Sequence, residues 1–335
     1  VDIRVVDPRD DRAFGDWYAV VEAAHRDLWP DDPGRQRVEL RAQALARDES
    51  TRVELLAAVD HGGTVVGAVR TDRPLLDNRH LVTAELAVHP DHRRRGAGRA
   101  LLTTVERRAV ADGRTVSVVE HDEPSHLEGR SPGHAFALAQ GYDVVQRDIR
   151  RDLTVPADPA RLAALEADCG PRAAGYRLVT WVGRCPDEFV DDRAYLGRRM
   201  STDIPLGGLA HEEEEWDAAR VRRKEAVAAA SARTVAVAGA VHRATGRLVA
   251  ITEIQVPGAA PEKAYQRDTI VLAEHRGHRL GTYVKIANLR QLAAVSPATA
   301  RVTTWNADDN EHMIAVNEAL GCTVGGMNLA WQKRL

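Results

Sequence analysis

The chain has 335 residues, with 44% hydrophobic and 28% charged side chains, and its 46 basic and 49 acidic residues leave a formal charge of −3. That length is about twice one compact domain, so two domains are expected, and the composition excludes a disordered chain. No run approaches about 18 consecutive apolar residues, and the near-balanced charge singles out neither nucleic acid nor an anionic membrane as a partner.

The opening Val1-Asp-Ile-Arg-Val-Val-Asp7 lacks the basic-then-apolar order of a secretory signal. Cys169, Cys185 and Cys322 form no C-x-x-C pair, so neither a disulfide framework nor a zinc ribbon is indicated and a cytoplasmic location is expected. Reading along the chain, a strand is expected at 3–6, helical segments over 11–47, and strands at 53–59, 64–71 and 81–88. A loop, a helix over 98–112, a strand at 115–119, a helix at 133–140 and a strand from Tyr142 follow. The helix after Gly98 carries Leu101, Leu102, Val105 and Ala109 at helical spacing, one apolar face for a core.

Thr154-Val-Pro-Ala-Asp-Pro, an alanine-rich stretch and Cys169-Gly-Pro-Arg then read as a linker with a short helix. Beyond it the order of elements returns, with strands at 176–181, 233–241, 247–255, 268–272 and 302–305 and helices beginning near Gly281 and Asn310. The repeat is visible in the residues themselves. Leu86-Ala-Val-His-Pro-Asp-His-Arg-Arg-Arg-Gly-Ala-Gly98 comes back as Thr269-Ile-Val-Leu-Ala-Glu-His-Arg-Gly-His-Arg-Leu-Gly281, aligning Val88 with Val271, Arg93 with Arg276 and Gly98 with Gly281. A long period occurring twice implies a duplicated domain rather than a solenoid. The expectation is two mixed α/β (α+β) domains, 1–154 and 176–335, joined by a linker at 155–175.

Arg93-Arg94-Arg95-Gly96-Ala97-Gly98-Arg99 lies between an apolar strand and an amphipathic helix. Glycine there lets the backbone approach a ligand, converging N–H groups and the macrodipole favour an anion, and a pyrophosphate would satisfy them. No G-x-x-x-x-G-K-[ST] occurs, and Leu101 stands where G-x-G-x-x-G needs its third glycine, so neither an ATPase loop nor a dinucleotide fold is favoured. The pattern V-x-P-x-x-[RQ]-x-x-G-x-G-x-x-L, carried by Val88, Pro90, Arg93, Gly96, Gly98 and Leu101, closely resembles the acyl-CoA-binding motif of the GNAT superfamily of N-acetyltransferases. The second copy matches it through Val271, Arg276, Gly281 and Thr282, with Gly277, His278 and Leu280 in the same loop, but Arg279 replaces the glycine equivalent to Gly96 and Ala273 replaces Pro90.

The resemblance implies tandem acyl-CoA-binding domains that transfer an acyl group, with acetyl-CoA as donor substrate, to a primary amine of a small molecule or protein. Direct attack in a ternary complex is implied, the backbone at Val88 or Val271 polarising the thioester carbonyl. A carboxylate on that strand commonly serves the family as general base, and Glu85 and Asp268 occupy one equivalent position, with Glu253 on the preceding strand a further candidate. By the same resemblance, Asn306, Asn310 and Asn317 fall in a strand and helix where asparagine binds the pantetheine arm or the CoA phosphates. The family's tyrosine acid is absent, since its positions hold Ala137 and Asn317. Mycothiol synthase is similar in its tandem arrangement, although no residue here fixes that acceptor.

In the first copy a polar loop with His121 and His126, followed by His134, matches no strong ligand spacing, so no metal is expected. Glu212-Glu-Glu-Glu215 reads as a solvated helix start or as guidance for a cationic amine. With its asparagines, the second copy is expected to be the catalytic one. A non-catalytic acyl-CoA-binding or regulatory protein is the other reading.

Overall fold

The computed structural model describes residues 1–46, 49–203, 205 and 207–335. In chain order they form β1 (Asp2–Val5), α1 (Asp11–Leu28), α2 (Arg37–Leu45), β2 (Thr51–Val59), β3 (Val65–Pro74), β4 (Leu81–Val88), α3 (Ala97–Ala111), β5 (Val116–Pro124), α4 (Pro132–Ala139) and β6 (Asp143–Thr154). There follow α5 (Pro159–Arg172), β7 (Tyr176–Val182), α6 (Val190–Asp203), α7 (Ala218–Ala230), β8 (Arg233–His242), β9 (Leu248–Pro257), β10 (Lys263–Val271), α8 (Leu280–Val295), β11 (Arg301–Ala307), α9 (Glu311–Leu320) and β12 (Thr323–Arg334). The helical stretch expected over 11–47 is two helices, and its last residue, Arg47, lies outside the described residues. The short helix expected in the linker is α5, whereas β12 has no counterpart among the expected strands.

Local chemistry explains the main boundaries. The Asp10 carboxylate accepts the N–H groups of Arg12 and Ala13, each at 3.0 Å, and so caps α1, which buries Phe14, Trp17 and Val20. α3 buries Leu101, Leu102, Val105 and Ala109 on the face its sequence spacing marks.

The chain divides into two compact units. Unit 1 comprises Val1–Arg147, Gly207–His211 and Gly326–Leu335, and unit 2 comprises Asp148–Leu206 and Glu212–Gly325. In unit 1 the strands run in the order β1, β2, β3, β4, β5, β12, antiparallel except for β4 with β5. In unit 2 the order is β6, β11, β10, β9, β8, β7, antiparallel except for β10 with β11. Each unit therefore completes its sheet with a strand from the other half of the sequence: Gly326–Arg334 pairs with β5, and Asp148–Thr154 pairs with β11.

Both faces of each sheet are covered. In unit 1, α3 packs Leu101 and Val105 on Leu56, Val69 and Val82, while α1 packs Phe14 and Trp17 against Leu55 and Ala57. In unit 2, α8 lays Ile286 and Leu289 with Ile254, Ala264 and Val302 on one face, to which α5 and α9 add Leu162, Val316 and Leu320, while α6 meets the other face, where Arg193 pairs with Glu253 of β9. No helix among the described residues is long and apolar enough to cross a membrane.

Candidate active site

The parallel pairs open in the same way. β4 and β5 pair from Leu81 with Val116 to Ala84 with Val119, and β10 and β11 pair from Lys263 with Arg301 to Tyr265 with Thr303, after which the strands part. Beyond those residues each strand has backbone groups on its inner edge with no partner strand among the described residues, an opening that an amide-bearing ligand can enter.

The loops after β4 and β10 keep one backbone path with different residues. Each makes a 3-10 turn, Pro90–His92 or Ala273–His275, then visits the left-handed region twice before its helix. Unit 1 uses Arg94 (φ +63°) and then Gly96 (φ +89°), whereas unit 2 uses Gly277 (φ +84°) and then Arg279 (φ +58°). Glycine thus sits at the second left-handed site in one copy and at the first in the other, and losing the Gly96 equivalent leaves the turn and the start of α8 in place. Arg279→Gly trades the left-handed cost of a side chain against lost chain stiffness and a surface ion pair, so thermal unfolding is expected to shift by no more than about 1 kcal/mol.

Arg93 and Arg276 anchor these loops rather than standing free. Arg93 pairs with Asp27 at the end of α1 at 2.6 Å, and Arg276 pairs with Asp203 at the end of α6 at 3.5 Å while its Nε donates to the Val271 carbonyl at 3.3 Å. Arg94, Arg95 and Arg99 are exposed and make no side-chain hydrogen bond or ion pair among the described residues, leaving three guanidiniums at the N-terminus of α3. Ala97 is buried, and a Cβ on Gly98 would meet the Phe136 ring at 3.3 Å and Val88 at 3.4 Å. In unit 2 the corresponding contacts are taken up by α5. His278 Nδ1 lies 3.0 Å from the Arg172 carbonyl, Arg279 pairs with Asp168 at 3.1 Å, and Leu280, Gly281 and Thr282 are buried.

The carboxylates differ sharply between the units. Glu85, with 51% of its side chain exposed, is ion-paired to Arg35 and stands opposite Arg70 in the β3–β4 register. Burial works to raise its pKa, but the Arg35 and Arg70 guanidiniums outweigh that and hold the carboxyl below its usual range. Gln43 Oε1 accepts from both arginines at 2.8 Å, which ties this group together. Such a carboxylate is a weak base.

Asp268 sits on a β-bulge. Gln266 faces Ile254 and Thr269 faces Thr252, so Arg267 and Asp268 together oppose Glu253. The Thr252 and Thr269 hydroxyls meet at 2.7 Å, and Gln266 Nε2 donates to Thr252 Oγ1 at 2.9 Å and to the Glu253 carbonyl at 2.7 Å, pinning the bulge from one face. By alternation Asp268 and Glu253 belong to the other face. Glu253, 14% exposed, is held by Arg193 of α6 at 3.3 Å and by Gln255 at 2.6 Å. The Arg193 guanidinium in turn lies 6.0 Å from the Trp216 ring centre. Asp268 makes no hydrogen bond or ion pair among the described residues.

The asparagines are tied into the protein. Asn310 Oδ1 accepts the Met313 N–H at 3.1 Å and caps α9. Asn317 is buried between Lys285, which donates to its Oδ1 at 3.0 Å, and Asn306, which accepts from its Nδ2 at 3.1 Å. Within the acidic run, Glu214 accepts from Trp216 Nε1 at 2.8 Å and from Arg220 at 3.0 Å, and Asp217 caps α7.

In unit 1, Trp331 Nε1 donates to His121 Nδ1 at 3.2 Å, and His121 Nε2 lies 3.1 Å from Ser131 Oγ. The buried Glu123 lies 3.6 Å from His121 and 3.8 Å from His134. With Nδ1 accepting, the His121 proton is on Nε2, so the ring cannot act as base toward Ser131. Among the described residues no group of three or more His, Cys, Asp or Glu side chains is arranged to hold a metal, and all three cysteines are free.

Sequence reasoning missed Arg35, Arg193, Lys285 and the packing of α5 on the second loop. Arg35 comes from the connection between α1 and α2 and Arg193 from α6, segments whose sequence has no fixed relation to the strands they meet. Lys285 alone left a trace, as a lysine within the apolar run Val284-Lys-Ile-Ala-Asn-Leu289.

Comparison with known proteins bears on the fold. The acetyltransferase (GNAT) family model matches residues 15–127. A solved tandem GNAT protein from the clavulanic acid biosynthesis pathway is 29% identical, with 99% of this chain and 98% of that one covered and a TM-score of 0.79. A GCN5-related N-acetyltransferase from Sphaerobacter thermophilus shares the fold at 14% identity, covering 99% of this chain and 95% of that one with a TM-score of 0.65. No curated protein matches the sequence significantly.

Proposed function

Because the chain is a tandem member of the GNAT acetyltransferase family, we propose that its C-terminal unit transfers an acetyl group from acetyl-CoA to a primary amine. The amine attacks directly, with Asp268 as general base. The observation that carries this reading is the contrast between the two equivalent carboxylates. Asp268 is unpaired on a bulge beside the parted strands, whereas Glu85 is locked by Arg35. A base must be free to take a proton, and Asp268 meets that requirement.

The floor charge supports an amine acceptor. Position for position, β3 presents Arg70 where β9 presents Glu253, so unit 2 offers two carboxylates against one arginine and favours a cationic group. Acetyl-CoA supplies the activated thioester. For it, unit 2 offers the N-terminus of α8 and the inner edge of β10 near Val271, and Arg279 can exchange its exposed contact with Asp168 for a phosphate oxygen.

A second role is favoured for unit 1. Its helix N-terminus carries three unengaged guanidiniums, but its carboxylate is neutralised, so it suits acyl-CoA binding without turnover. Calorimetric titration of the full chain with acetyl-CoA tests both readings, and thiol release with a panel of primary amines tests transfer. Gly98→Glu puts a carboxylate at the N-terminus of α3 against Phe136 and is expected to weaken binding at the unit 1 site on the order of tenfold or more. An isotherm identical to that of the parent would remove that site.

A further inference from the structure

Lys285 lies one turn into α8 with 3% of its surface exposed and no ion pair among the described residues. Its Nζ donates to Asn317 Oδ1 at 3.0 Å, Asn317 Nδ2 donates to Asn306 Oδ1 at 3.1 Å, and Asn306 Nδ2 donates to the Ala307 carbonyl at 3.0 Å. Every donor in this chain points the same way, from α8 through α9 to β11. The bond to Oδ1 also fixes which way the Asn317 amide faces.

The chain of amides ends at the opening between the strands. Asn306 on β11 and Asp268 on β10 each stand three residues beyond the last pair, Tyr265 with Thr303, with one residue of β10 taken up by the bulge, so they lie within about one residue of the same level on opposite walls. Asp268 belongs to the face that α6 reaches through Arg193 and Glu253, and the Lys285 chain belongs to the face of α8 and α9. An ammonium removed from water without a carboxylate is costly. A neutral donor would satisfy Asn317 equally well, so the charge itself needs a reason.

We propose that Lys285 is a positioning residue for acyl transfer in unit 2. Held behind Asn317, its ammonium fixes the Asn317 and Asn306 amides and stabilises the negative charge that develops on the departing sulfur. This rests on the reading that unit 2 transfers an acyl group. In the step, the amine nitrogen forms the C–N bond to the thioester carbon and the C–S electron pair passes to sulfur. The amine proton goes to the Asp268 carboxylate, and CoA departs as a thiolate that takes its proton from water on release.

Burial lowers the Lys285 pKa from 10.5 to about 8, opposed by the neighbouring Cys322. Around them, Arg151 and Asp152 of β6 act on the Cys322 thiol, and Glu318 of α9 pairs with Arg151 at 3.3 Å. Glu166 of α5 is taken by Arg290 of α8 at 2.6 Å. With its folded pKa depressed, the ammonium opposes folding fully below about 8, and that opposition is relieved as pH rises toward 10.5.

Two measurements on the full chain test the proposal. In thermal unfolding, the parent is expected to gain stability relative to Lys285→Met as pH rises from about 8 to 10.5; a pH-independent difference overturns the buried ammonium. In thiol release from acetyl-CoA, with an amine the parent accepts, Lys285→Met is expected to lower kcat about tenfold or more, with KM for the amine within about twofold. The parent's loss of kcat above about pH 8 should vanish with it. Lys285→Gln, which keeps a neutral donor, is expected to remain as slow as Lys285→Met, and recovery with Gln would show that the charge is not needed. A parent that turns over while Lys285→Met matches it overturns this inference alone. A parent that releases no thiol with any amine overturns the acyl-transfer reading and this inference with it.

Discussion

Asp268→Asn is expected to lower kcat/KM by about 10²- to 10³-fold, in the range that a positioned general base contributes, while acetyl-CoA binding stays within about twofold. The substitution keeps the size of the side chain and removes only its capacity to take a proton. Because Asp268 makes no ion pair or hydrogen bond among the described residues, there is no contact to lose, and thermal stability should stay within about 0.5 kcal/mol. A loss of rate therefore reports chemistry rather than folding. Glu85→Gln makes the opposite case. It strips Arg35 of its ion pair while Arg70 keeps Asp72 at 3.0 Å, so its effect should fall on stability, with kcat/KM within about threefold. Thiol release and unfolding measured on both variants separate the two, and equal rates for parent and Asp268→Asn would remove Asp268 as the base.

The duplication, the parallel strand before each loop and the helix after it were legible because they are local patterns. Val88 through Gly98 and Val271 through Gly281 carry their backbone path in short-range chemistry, and the structure keeps that path even where Arg279 replaces a glycine. Partners that arrive from elsewhere in the chain were not legible. Nothing near Glu85 in sequence announces Arg35, and nothing near Asp268 announces that one extra residue bulges β10 opposite Glu253. The asparagine series was visible, yet its hydrogen bonds depend on Lys285 from a different helix. Strand exchange was equally hidden, since an apolar strand at the end of either half fits an inner edge of either sheet, and only three-dimensional pairing decides which.

That exchange sets up the largest stability effect expected in the molecule. Trp331, fully buried on β12, stacks on His121 with ring centres 6.0 Å apart and meets His134 edge-on at 4.8 Å. It also packs with Leu102, Ala137, Tyr142 and Leu329. Its paired part, Gly326–Arg334, follows all of unit 2 in the sequence, yet among the described residues it supplies unit 1 with the only strand partner β5 has on that edge, from Gly326 opposite Pro124 to Arg334 opposite Val116. Trp331→Ala empties the space between β5 and α4 and leaves His121 Nδ1 without its donor, so a loss of about 3–5 kcal/mol is expected. Against a typical total of about 5–15 kcal/mol this is a large fraction. Trp331→Phe keeps an aromatic ring and loses the indole N–H, which should cost about 1–3 kcal/mol. Urea unfolding measures both. If Trp331→Ala left the midpoint unchanged, the closing strand would not be what holds this edge of unit 1, and the edge would have to be held by the pairing of β5 with β4 alone.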